Sequence, residues 1–216
     1  MKDIVLYGAG GMGREAASMI NYSINVVRPK SYRLLGYIVD EQYGKPGTDI
    51  NGYPILGDMN WLVNHRDDVV CALTIGDNTD EKERIFHMLD ENRIMIETLV
   101  DGYAFVPPTC ELGRGSYIGY LCSLSVNSKI GDGVFLGTHV LGGHDLEVGS
   151  FSTVYHRATI SGHCKIGRHV LIGGNSYICP SKKIGDRAVV AAGSVVFSNV
   201  KEGTHVLGNP AKRITL

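Results

Sequence analysis

The sequence repeats every six residues from about residue 100 to residue 196. An aliphatic side chain occupies every sixth position except one, where glycine replaces it, and a mostly small residue lies two positions before each. The aliphatic series is Val100, Val106, Leu112, Ile118, Leu124, Ile130, Leu136, (Gly142), Val148, Val154, Ile160, Ile166, Ile172, Ile178, Ile184, Val190 and Val196. A short strand of this kind cannot bury its apolar face alone, but stacked coils form a continuous core. The period therefore predicts a parallel β-helix.

Strands and helices alternate over the residues that precede the repeat. The segment DIVLYGAGGMG is typical of an apolar strand that runs into a glycine turn, and EAASMINY can continue it as a helix. Two further strands, RLLGYIVDE and VVCALTIGDN, precede the amphipathic helix DEKERIFHMLDE. This order predicts a small Rossmann-like parallel sheet of about three strands. We expect an α/β domain over residues 1–97 and the β-helix over residues 98–216.

The glycine turn and the end of the second strand are candidate ligand sites. The turn contains Gly8, Gly10, Gly11 and Gly13. Its backbone N–H groups at a helix N-terminus would suit a phosphate, or the glycines only permit close packing. Asp40 and Glu41 lie where a ribose or base would be held, or else in a solvated loop. A dehydrogenase would use the same glycines for a dinucleotide, but the domain is too short for both mononucleotide halves, which favours a single nucleotide.

Composition excludes several other classes of partner. The formal net charge is −1, which gives no indication of nucleic-acid binding, because such proteins cluster Lys and Arg. No apolar run approaches the roughly 20 residues of a membrane span, and the N-terminus does not read as a signal peptide. Five cysteines without a CxxC motif fit a reducing compartment. We expect a cytoplasmic protein.

The order of the domains and several motifs together resemble one family. The motifs are GDN at Gly76–Asn78, the pair His144–Asp145, AAGSVV, and GNPAKRI near the C-terminus. The chain resembles the sugar acyltransferases of the hexapeptide-repeat group, which include sialic acid O-acetyltransferases and N-acetyltransferases of nucleotide-linked amino sugars. The resemblance implies a left-handed β-helix with three hexapeptides per coil, so that residues eighteen apart stack roughly 4.8 Å from each other. It also implies surface-glycan biosynthesis, a homotrimer with acetyl-CoA between subunits, and a nucleotide-sugar held partly by the N-terminal domain.

The resemblance assigns catalytic roles to residues around one turn. Acyl transfer from a thioester needs a base for the proton of the attacking amine or hydroxyl, and His144 would supply it. Asp145 would orient the imidazole, and the backbone N–H of Gly162, one coil further on, would stabilise the oxyanion. Transfer would be direct, without an acyl-enzyme. The alternative for His144 is an exposed turn histidine, which is what we expect of His139, His163 and His169.

Acetyl-CoA is the expected co-substrate, and no metal is expected. The residues assigned to it are Gly174, Ala192 and Gly193, which are small enough for the pantetheine to reach the backbone, and Lys212 or Arg213, which would meet a phosphate. Outward apolar side chains are expected to pack the homotrimer, namely Phe135, Phe151 and Tyr155.

Three other functions stay open at this point. A sialic acid or other sugar O-acetyltransferase that uses no nucleotide would leave the GAGGMG turn unexplained. A non-catalytic module that binds a nucleotide-sugar would bind no CoA. A metal hydratase of the γ-carbonic anhydrase type would use the spacing of His139 and His144, but its third ligand would fall at Tyr103.

Overall fold

The computed structural model describes residues 1–29 and 31–215. The chain forms two compact units, Met1–Gly102 and Tyr103–Leu216. Sequence reasoning places the division after residue 97, a few residues earlier. Among the described residues, every helix is too short or too polar to cross a lipid bilayer.

The N-terminal unit is an α/β domain around a six-stranded sheet. Its strands are β1 (Lys2–Tyr7), β2 (Tyr32–Ile38), β3 (Asp49–Ile50), β4 (Tyr53–Gly57), β5 (Val70–Leu73), β6 (Ile96–Glu97) and β7 (Leu99–Val100), of which the first six form the sheet. Its helices are α1 (Gly11–Met19), α2 (Asn25–Val27), α3 (Met59–Asn64) and α4 (Thr79–Glu91), with a π-helical segment at Ile20–Ile24 and a 3-10 turn at Glu41–Tyr43. The sheet order is β3-β4-β2-β1-β5-β6, and all neighbours are parallel except β3 and β4.

The expectation of about three strands was wrong because the remaining strands carry little periodicity of their own. Strands β3 and β6 have two residues each, which is too short for a pattern of alternation. The β3–β4 hairpin did have a signal in the sequence. Its turn consists of Asn51 and Gly52, both with positive φ (52° and 84°), and Asn-Gly is the most typical two-residue hairpin turn.

The C-terminal unit is a left-handed parallel β-helix, as predicted. Its strands are β8 (Glu111–Leu112), β9 (Tyr117–Ile118), β10 (Ser123–Leu124), β11 (Lys129–Ile130), β12 (Phe135–Leu136), β13 (Leu141–Gly142), β14 (Glu147–Val148), β15 (Thr153–Val154), β16 (Thr159–Ile160), β17 (Lys165–Ile166), β18 (Leu171–Ile172), β19 (Tyr177–Ile178), β20 (Lys183–Ile184), β21 (Val189–Val190), β22 (Val195–Val196), β23 (His205–Gly208) and β24 (Ala211–Ile214). The register pairs Ser123 with Leu141 and Leu141 with Thr159, which confirms a coil of eighteen residues.

The aliphatic series forms the core of the β-helix. Its members from Ile118 to Val196 are buried, and the glycine in the series leaves no gap. A Cβ atom at Gly142 would lie 2.7 Å from Cδ2 of Leu124 and 2.9 Å from Cδ2 of Leu146, so these two leucines already fill the space. Glycine therefore interrupts the repeat at the one position where two leucine side chains occupy the space that an aliphatic side chain would need.

The outward side chains give the β-helix three different faces. The charged face consists of β8, β11, β14, β17 and β20, and its ion pairs join Lys129 to Glu111 (3.4 Å) and Lys165 to Glu147 (2.8 Å). The apolar face consists of β10, β13, β16, β19 and β22 and leaves Leu141 48% exposed. The third face consists of β9, β12, β15, β18 and β21, and the β23–β24 hairpin extends it.

The turns between the faces stack into corners, and two of these corners border the apolar face. The His144 corner, between the apolar and the charged face, contains residues 126–127, 144–145, 162–163 and 180–181. The Gly174 corner, between the third and the apolar face, contains residues 138–139, 156–157, 174–175 and 192–193. The second residue of each of these turns has a positive φ, between 55° at Asp145 and 70° at Gly193. Asn at two of these positions, Asn127 and Asn175, fits because Asn tolerates this conformation well.

The outward aromatic residues expected at a trimer contact are mostly covered within the chain itself. Phe135 is 5% exposed and stacks on Tyr117, with 5.1 Å between the ring centroids. Phe151 is 3% exposed, because His169 and Arg168 lie over its ring. The expectation for these two phenylalanines was wrong, and so was that of an outward His169, which is buried. Tyr155 is only partly exposed.

Candidate functional site

The N-terminal unit has a cavity at the carboxyl ends of its central strands. Its volume is about 420 Å³, which is within the range typical of small-molecule sites. Most of the residues that line it lie at or just after the ends of β1, β2 and β5, or at the start and in the first half of α4, and one belongs to β3. The lining residues are Tyr7, Gly8, Ala9, Gly10, Val39, Asp40, Tyr43, Ile50, Thr74, Ile75, Asn78, Glu81 and Ile85. Ligands of open α/β sheets bind at this edge, beside the strand where the order of connection reverses.

The four glycines of the turn divide into two kinds. Gly8 has φ +113°, and a Cβ there would lie 2.9 Å from the carbonyl oxygen of Thr74. A Cβ at Gly13 would lie 2.0 Å from the carbonyl oxygen of Gly8, so these two glycines permit close packing of strand and helix. A Cβ at Gly10 or Gly11 would meet no atom within 4 Å. Of the four, Gly8 and Gly10 line the cavity, whereas Gly11 and Gly13 do not.

Thr74 holds this turn in place, and sequence reasoning missed it. Its hydroxyl lies 2.8 Å from the carbonyl oxygen of Tyr7 and 2.9 Å from that of Gly8, and can donate to either. Asn78, within the GDN motif, caps α4 by accepting a hydrogen bond from the backbone N–H of Glu81 (3.0 Å). The turn and the start of α4 are thus fixed on both sides of the cavity.

Asp40 lies at the cavity as expected, and two side chains already bind its carboxylate. The hydroxyl of Tyr7 donates to Oδ1 (2.6 Å), and Arg84 donates from Nη2 to Oδ2 (3.2 Å). Burial, and then this bond to Asp40, raise the pKa of Tyr7 well above its usual value. Glu41 is exposed in the 3-10 turn and does not line the cavity.

In the β-helix, His144 and Asp145 form a hydrogen-bonded pair at the His144 corner. The Nδ1 atom of His144 lies 2.8 Å from Oδ2 of Asp145, and the two side chains are 52% and 39% exposed. Hydrogen bonds from His144 and from Asn127 hold the pKa of Asp145 below its usual range, so the carboxylate is ionised and accepts. The proton therefore belongs on Nδ1, which leaves the lone pair of Nε2 available as a base.

Gly162 lies directly against this imidazole, as the eighteen-residue register predicted. A Cβ at Gly162 would lie 2.6 Å from Nε2 of His144 and 2.9 Å from both Cδ2 and Cε1. Any larger residue would have to displace the ring. Across the part of the chain that the structure describes, no group accepts a hydrogen bond from the N–H of Gly162.

Two further side chains surround Asp145, and sequence reasoning did not place them there. Asn127 donates from Nδ2 to Oδ1 of Asp145 (3.1 Å). His163 is an outward turn residue as expected, but its Nδ1 lies 3.6 Å from Oδ2 of Asp145, and its ring is perpendicular to that of His144 at 4.6 Å between centroids. Both are eighteen residues from Asp145, so the register that located Gly162 was also the signal for them.

The residues assigned to CoA lie at the other corner. Gly193 donates its N–H to the carbonyl oxygen of Gly174 (2.8 Å), and a Cβ at Gly193 would meet no atom within 4 Å. Ala192 directly precedes Gly193 in the same turn. Lys212 and Arg213 are exposed on β24, and β23 joins that strand to β21, which leads into Ala192.

The two histidines of the hydratase hypothesis do not share a site. His139 belongs to the Gly174 corner, where its ring lies 6.1 Å from that of Tyr120. His144 belongs to the other corner, on the opposite edge of the apolar face. The five-residue spacing therefore places the two rings on different edges of the coil.

Two family models match the chain. Residues 3–89 match the PglD N-terminal domain, and residues 163–198 match the bacterial transferase hexapeptide (six repeats). The putative acetyltransferase YvoF of Bacillus subtilis is 38% identical over 81 residues, which are 38% of this chain and 46% of that protein. The serine acetyltransferase of Helicobacter pylori is 32% identical over 98 residues, 41% of this chain and 57% of that protein. The chain thus spans about half the length of these relatives.

Solved structures share the fold along the full chain. A mutant of perosamine N-acetyltransferase from Caulobacter crescentus, in complex with CoA and GDP-perosamine, has a TM-score of 0.86 at 21% identity and covers 100% of this chain and 98% of its own. The acetyltransferase domain of PglB from Neisseria gonorrhoeae, in complex with acetyl coenzyme A, has a TM-score of 0.86 at 23% identity and covers 99% of both chains. At these identities the likeness shows the fold alone.

The division of the glycines predicts a loss of stability at one position and little change at another. Gly13→Ala places a Cβ against the backbone of Gly8, so we expect a loss of about 1 to 3 kcal/mol in the free energy of unfolding. Gly11→Ala meets no atom and should leave stability nearly unchanged, because Ala suits a helix. Thermal unfolding of the two variants, followed by circular dichroism, would measure the difference. Equal melting temperatures would show that Gly13 does not serve packing.

Proposed function

We propose that the chain is an acetyltransferase for a nucleotide-linked amino sugar, with His144 as the general base, because its two parts match the PglD N-terminal domain and the bacterial transferase hexapeptide. The observation that carries the proposal is the set of contacts made by the two ring nitrogens of His144. The ionised carboxylate of Asp145 holds its Nδ1–H, and Nε2 lies at an exposed corner beside the backbone of Gly162. This is the arrangement that a base needs to accept a proton from a bound nucleophile.

The proposed reaction is a direct transfer between two bound substrates. The lone pair of the sugar amine attacks the thioester carbonyl carbon, and Nε2 of His144 takes the amine proton as the N–C bond forms. The C–S bond then breaks, and CoA leaves as a thiolate, which takes the proton from the His144 imidazolium and so restores the neutral base. Asp145 stabilises the imidazolium, and the N–H of Gly162 donates to the oxygen on which negative charge develops. No step requires a metal ion.

Acetyl-CoA is the proposed donor. The PglB domain binds acetyl coenzyme A, and the perosamine N-acetyltransferase binds CoA, in structures with the fold of this chain. In this chain the small residues Gly174, Ala192 and Gly193 lie at one corner, and Lys212 and Arg213 supply positive charge on β24, which β23 joins to β21. The five cysteines are all free, which fits the cytoplasmic location that we propose.

The cavity of the N-terminal unit is the proposed site for the nucleotide part of the acceptor. Gly8 and Gly10 line it at the N-terminus of α1, where backbone N–H groups and the helix dipole favour a diphosphate. Asp40 supplies carboxylate oxygens at the same cavity for a ribose hydroxyl or a base N–H group. Binding energy from this part of the acceptor would position the reacting amine.

A homotrimer is the proposed assembly, with the apolar face at the subunit contact. This face is exposed at Leu141 and at Tyr177 (40%), whereas the charged face forms ion pairs. In a closed three-fold ring built on one face, one edge of that face meets the opposite edge of the next subunit. The two edges are the His144 corner and the Gly174 corner. The base of one subunit would therefore lie beside the CoA residues of its neighbour.

Replacement of the base should abolish most of the transfer. We expect His144→Ala to lower kcat about 10²- to 10⁴-fold while CoA still binds. Asp145→Asn should cost less, because the base is still present. Gly162→Ala should lower kcat by displacing the ring, and it should have no further effect when combined with His144→Ala. The turnover of each variant is measured as the release of free CoA thiol, with acetyl-CoA and a UDP-, dTDP- or GDP-linked amino sugar as the two substrates. Unchanged turnover in His144→Ala would remove it from the mechanism.

The cavity assignment predicts a change in one Michaelis constant only. Gly10→Val adds a side chain at the cavity without a clash, because no atom lies within 4 Å of a Cβ there. We expect KM for the nucleotide-sugar to rise about tenfold, a loss of ~1.4 kcal/mol of binding, and KM for acetyl-CoA to stay constant. Equal wild-type activity on the free sugar and its nucleotide-linked form would contradict the assignment and favour a sugar O- or N-acetyltransferase that uses no nucleotide.

The assembly proposal predicts that a charge on the apolar face is far more harmful than one on the charged face. Tyr177→Asp should dissociate the trimer and lower kcat about 10²-fold, because the neighbour no longer positions CoA. Lys183→Asp, on the neighbouring strand of the charged face, is the matched control and should leave both unchanged. Light scattering measures the oligomeric state, and the thiol assay measures kcat. A fully active Tyr177→Asp monomer would show that each site is complete within one subunit.

A further inference from the structure

We propose that Tyr43 stacks on the nucleobase of the acceptor, so that the cavity of the N-terminal unit recognises the face of the base and not its hydrogen-bonding edge. The inference rests on the proposed function, which assigns the nucleotide part of the acceptor to this cavity. It adds a binding residue and a mode of base recognition. It also predicts that acceptors with either a purine or a pyrimidine base bind.

The ring of Tyr43 is an uncovered aromatic surface at the cavity. Tyr43 lines the cavity and is nevertheless 70% exposed. Within the described part of the chain, its ring contacts no other ring and its hydroxyl makes no hydrogen bond. Exposure alone does not single it out, since Tyr22 is 77% exposed and does not line the cavity. The position at the cavity is what leaves the Tyr43 ring available to a bound ligand.

The turn that carries Tyr43 is fixed against the sheet. Tyr43 ends the 3-10 turn Glu41–Tyr43, and its N–H donates to the carbonyl oxygen of Asp40 (2.8 Å). Residues three apart lie on the same side of such a turn, and Asp40 and Tyr43 both line the cavity. A Cβ at Gly44 would collide with Cδ1 of Ile55, so the chain packs against β4 directly after Tyr43. Little backbone therefore has to be ordered when a ligand binds beside this turn.

Both carboxylates of the cavity wall are already hydrogen-bonded within the chain. The carboxylate of Asp40 accepts hydrogen bonds from Tyr7 and Arg84. That of Glu81 accepts one from Nε of Arg84 (2.7 Å). The N–H groups on the edge of a base would compete with these donors for the carboxylate oxygens. The face of the Tyr43 ring has no such competitor.

The rest of the wall suits the face of a base. Ile50, Ile75 and Ile85 line the cavity with apolar side chains. Every nucleobase has a π-face, so stacking on an aromatic side chain contributes to binding with little dependence on the identity of the base. The faces of a base are also its least polar surface, and burying them against Tyr43 removes the exposed ring from water. The cavity therefore favours recognition by stacking.

The test compares the Kd of UDP, GDP and inosine 5′-diphosphate (IDP) for the wild type and Tyr43→Ala, measured by isothermal titration calorimetry. GDP and IDP differ by one amino group on the edge of the base, so we expect the wild type to bind them nearly equally. Tyr43→Ala should weaken the binding of each nucleotide about tenfold, because the stacking surface is lost. Tyr43→Phe should bind like the wild type, because it keeps the ring.

Tyr22→Ala is the matched control, because it removes a similarly exposed tyrosine of the same unit that does not line the cavity. Its Kd values should equal those of the wild type. In the thiol assay, Tyr43→Ala should raise KM for the nucleotide-sugar about tenfold and leave KM for acetyl-CoA unchanged. The Tm of Tyr43→Ala should stay the same, because the side chain is exposed.

Equal Kd values for the wild type and Tyr43→Ala would overturn the proposal, and intact acetyl transfer in both would leave the proposed function standing. A preference of about tenfold or more for GDP over IDP would show that the edge of the base is read, which also overturns it. Nucleotide binding that depends on the Tyr43 ring, in a protein without acetyltransferase activity, would support the role of Tyr43 and refute the proposed function instead.

Discussion

The backbone hydrogen bonds between successive coils are the constraint on which the rest of the β-helix depends. The N–H of Gly143 donates to Ile160 (2.7 Å) and that of His163 to His144 (2.9 Å), and similar bonds recur around each coil. A slip of one residue would bring charged residues such as Glu147 into the core, so burial of the aliphatic series holds the register. Side chains eighteen residues apart are consequently forced together. Asp145 adjoins His144 in sequence, whereas the contacts of His144 with Gly162 and His163 are a consequence of core packing.

This constraint explains which parts of the site could be predicted from the sequence. The contact between His144 and Gly162 follows from the six-residue period together with the three hexapeptides per coil that the family resemblance implies. In the structure, a Cβ added at Gly162 would lie within 3 Å of three atoms of the His144 ring, at 2.6 to 2.9 Å. Asn127 and His163 follow from the same register, because they lie one coil before and one coil after Asp145. The burial of Phe135 and Phe151 does not follow from it. Neighbouring rings and an arginine cover these side chains, and the repeat pattern contains no information about how outward side chains lean.

The N-terminal unit was less predictable because its contacts are not periodic. The strand, glycine turn and helix at the N-terminus were recognisable, since an apolar run, glycines and an amphipathic segment follow each other. The separate roles of the glycines were not, because they depend on Thr74, far away in sequence, whose hydroxyl and carbonyl group pack on the turn. The partners of Asp40 depend likewise on the pairing of β1 with β2 and on the position of α4.

The exposure of the His144–Asp145 pair links the chemistry to the assembly. Water around a half-exposed carboxylate screens its interaction with an imidazolium, and the oxyanion contribution of an N–H group is largest where water is excluded. A single chain leaves this corner open to solvent. A neighbouring subunit and the bound CoA would cover it, and the same two charges and the same N–H group would then act in a lower effective dielectric. In the proposed trimer, the subunit contact thus strengthens an electrostatic arrangement that the β-helix register has already built.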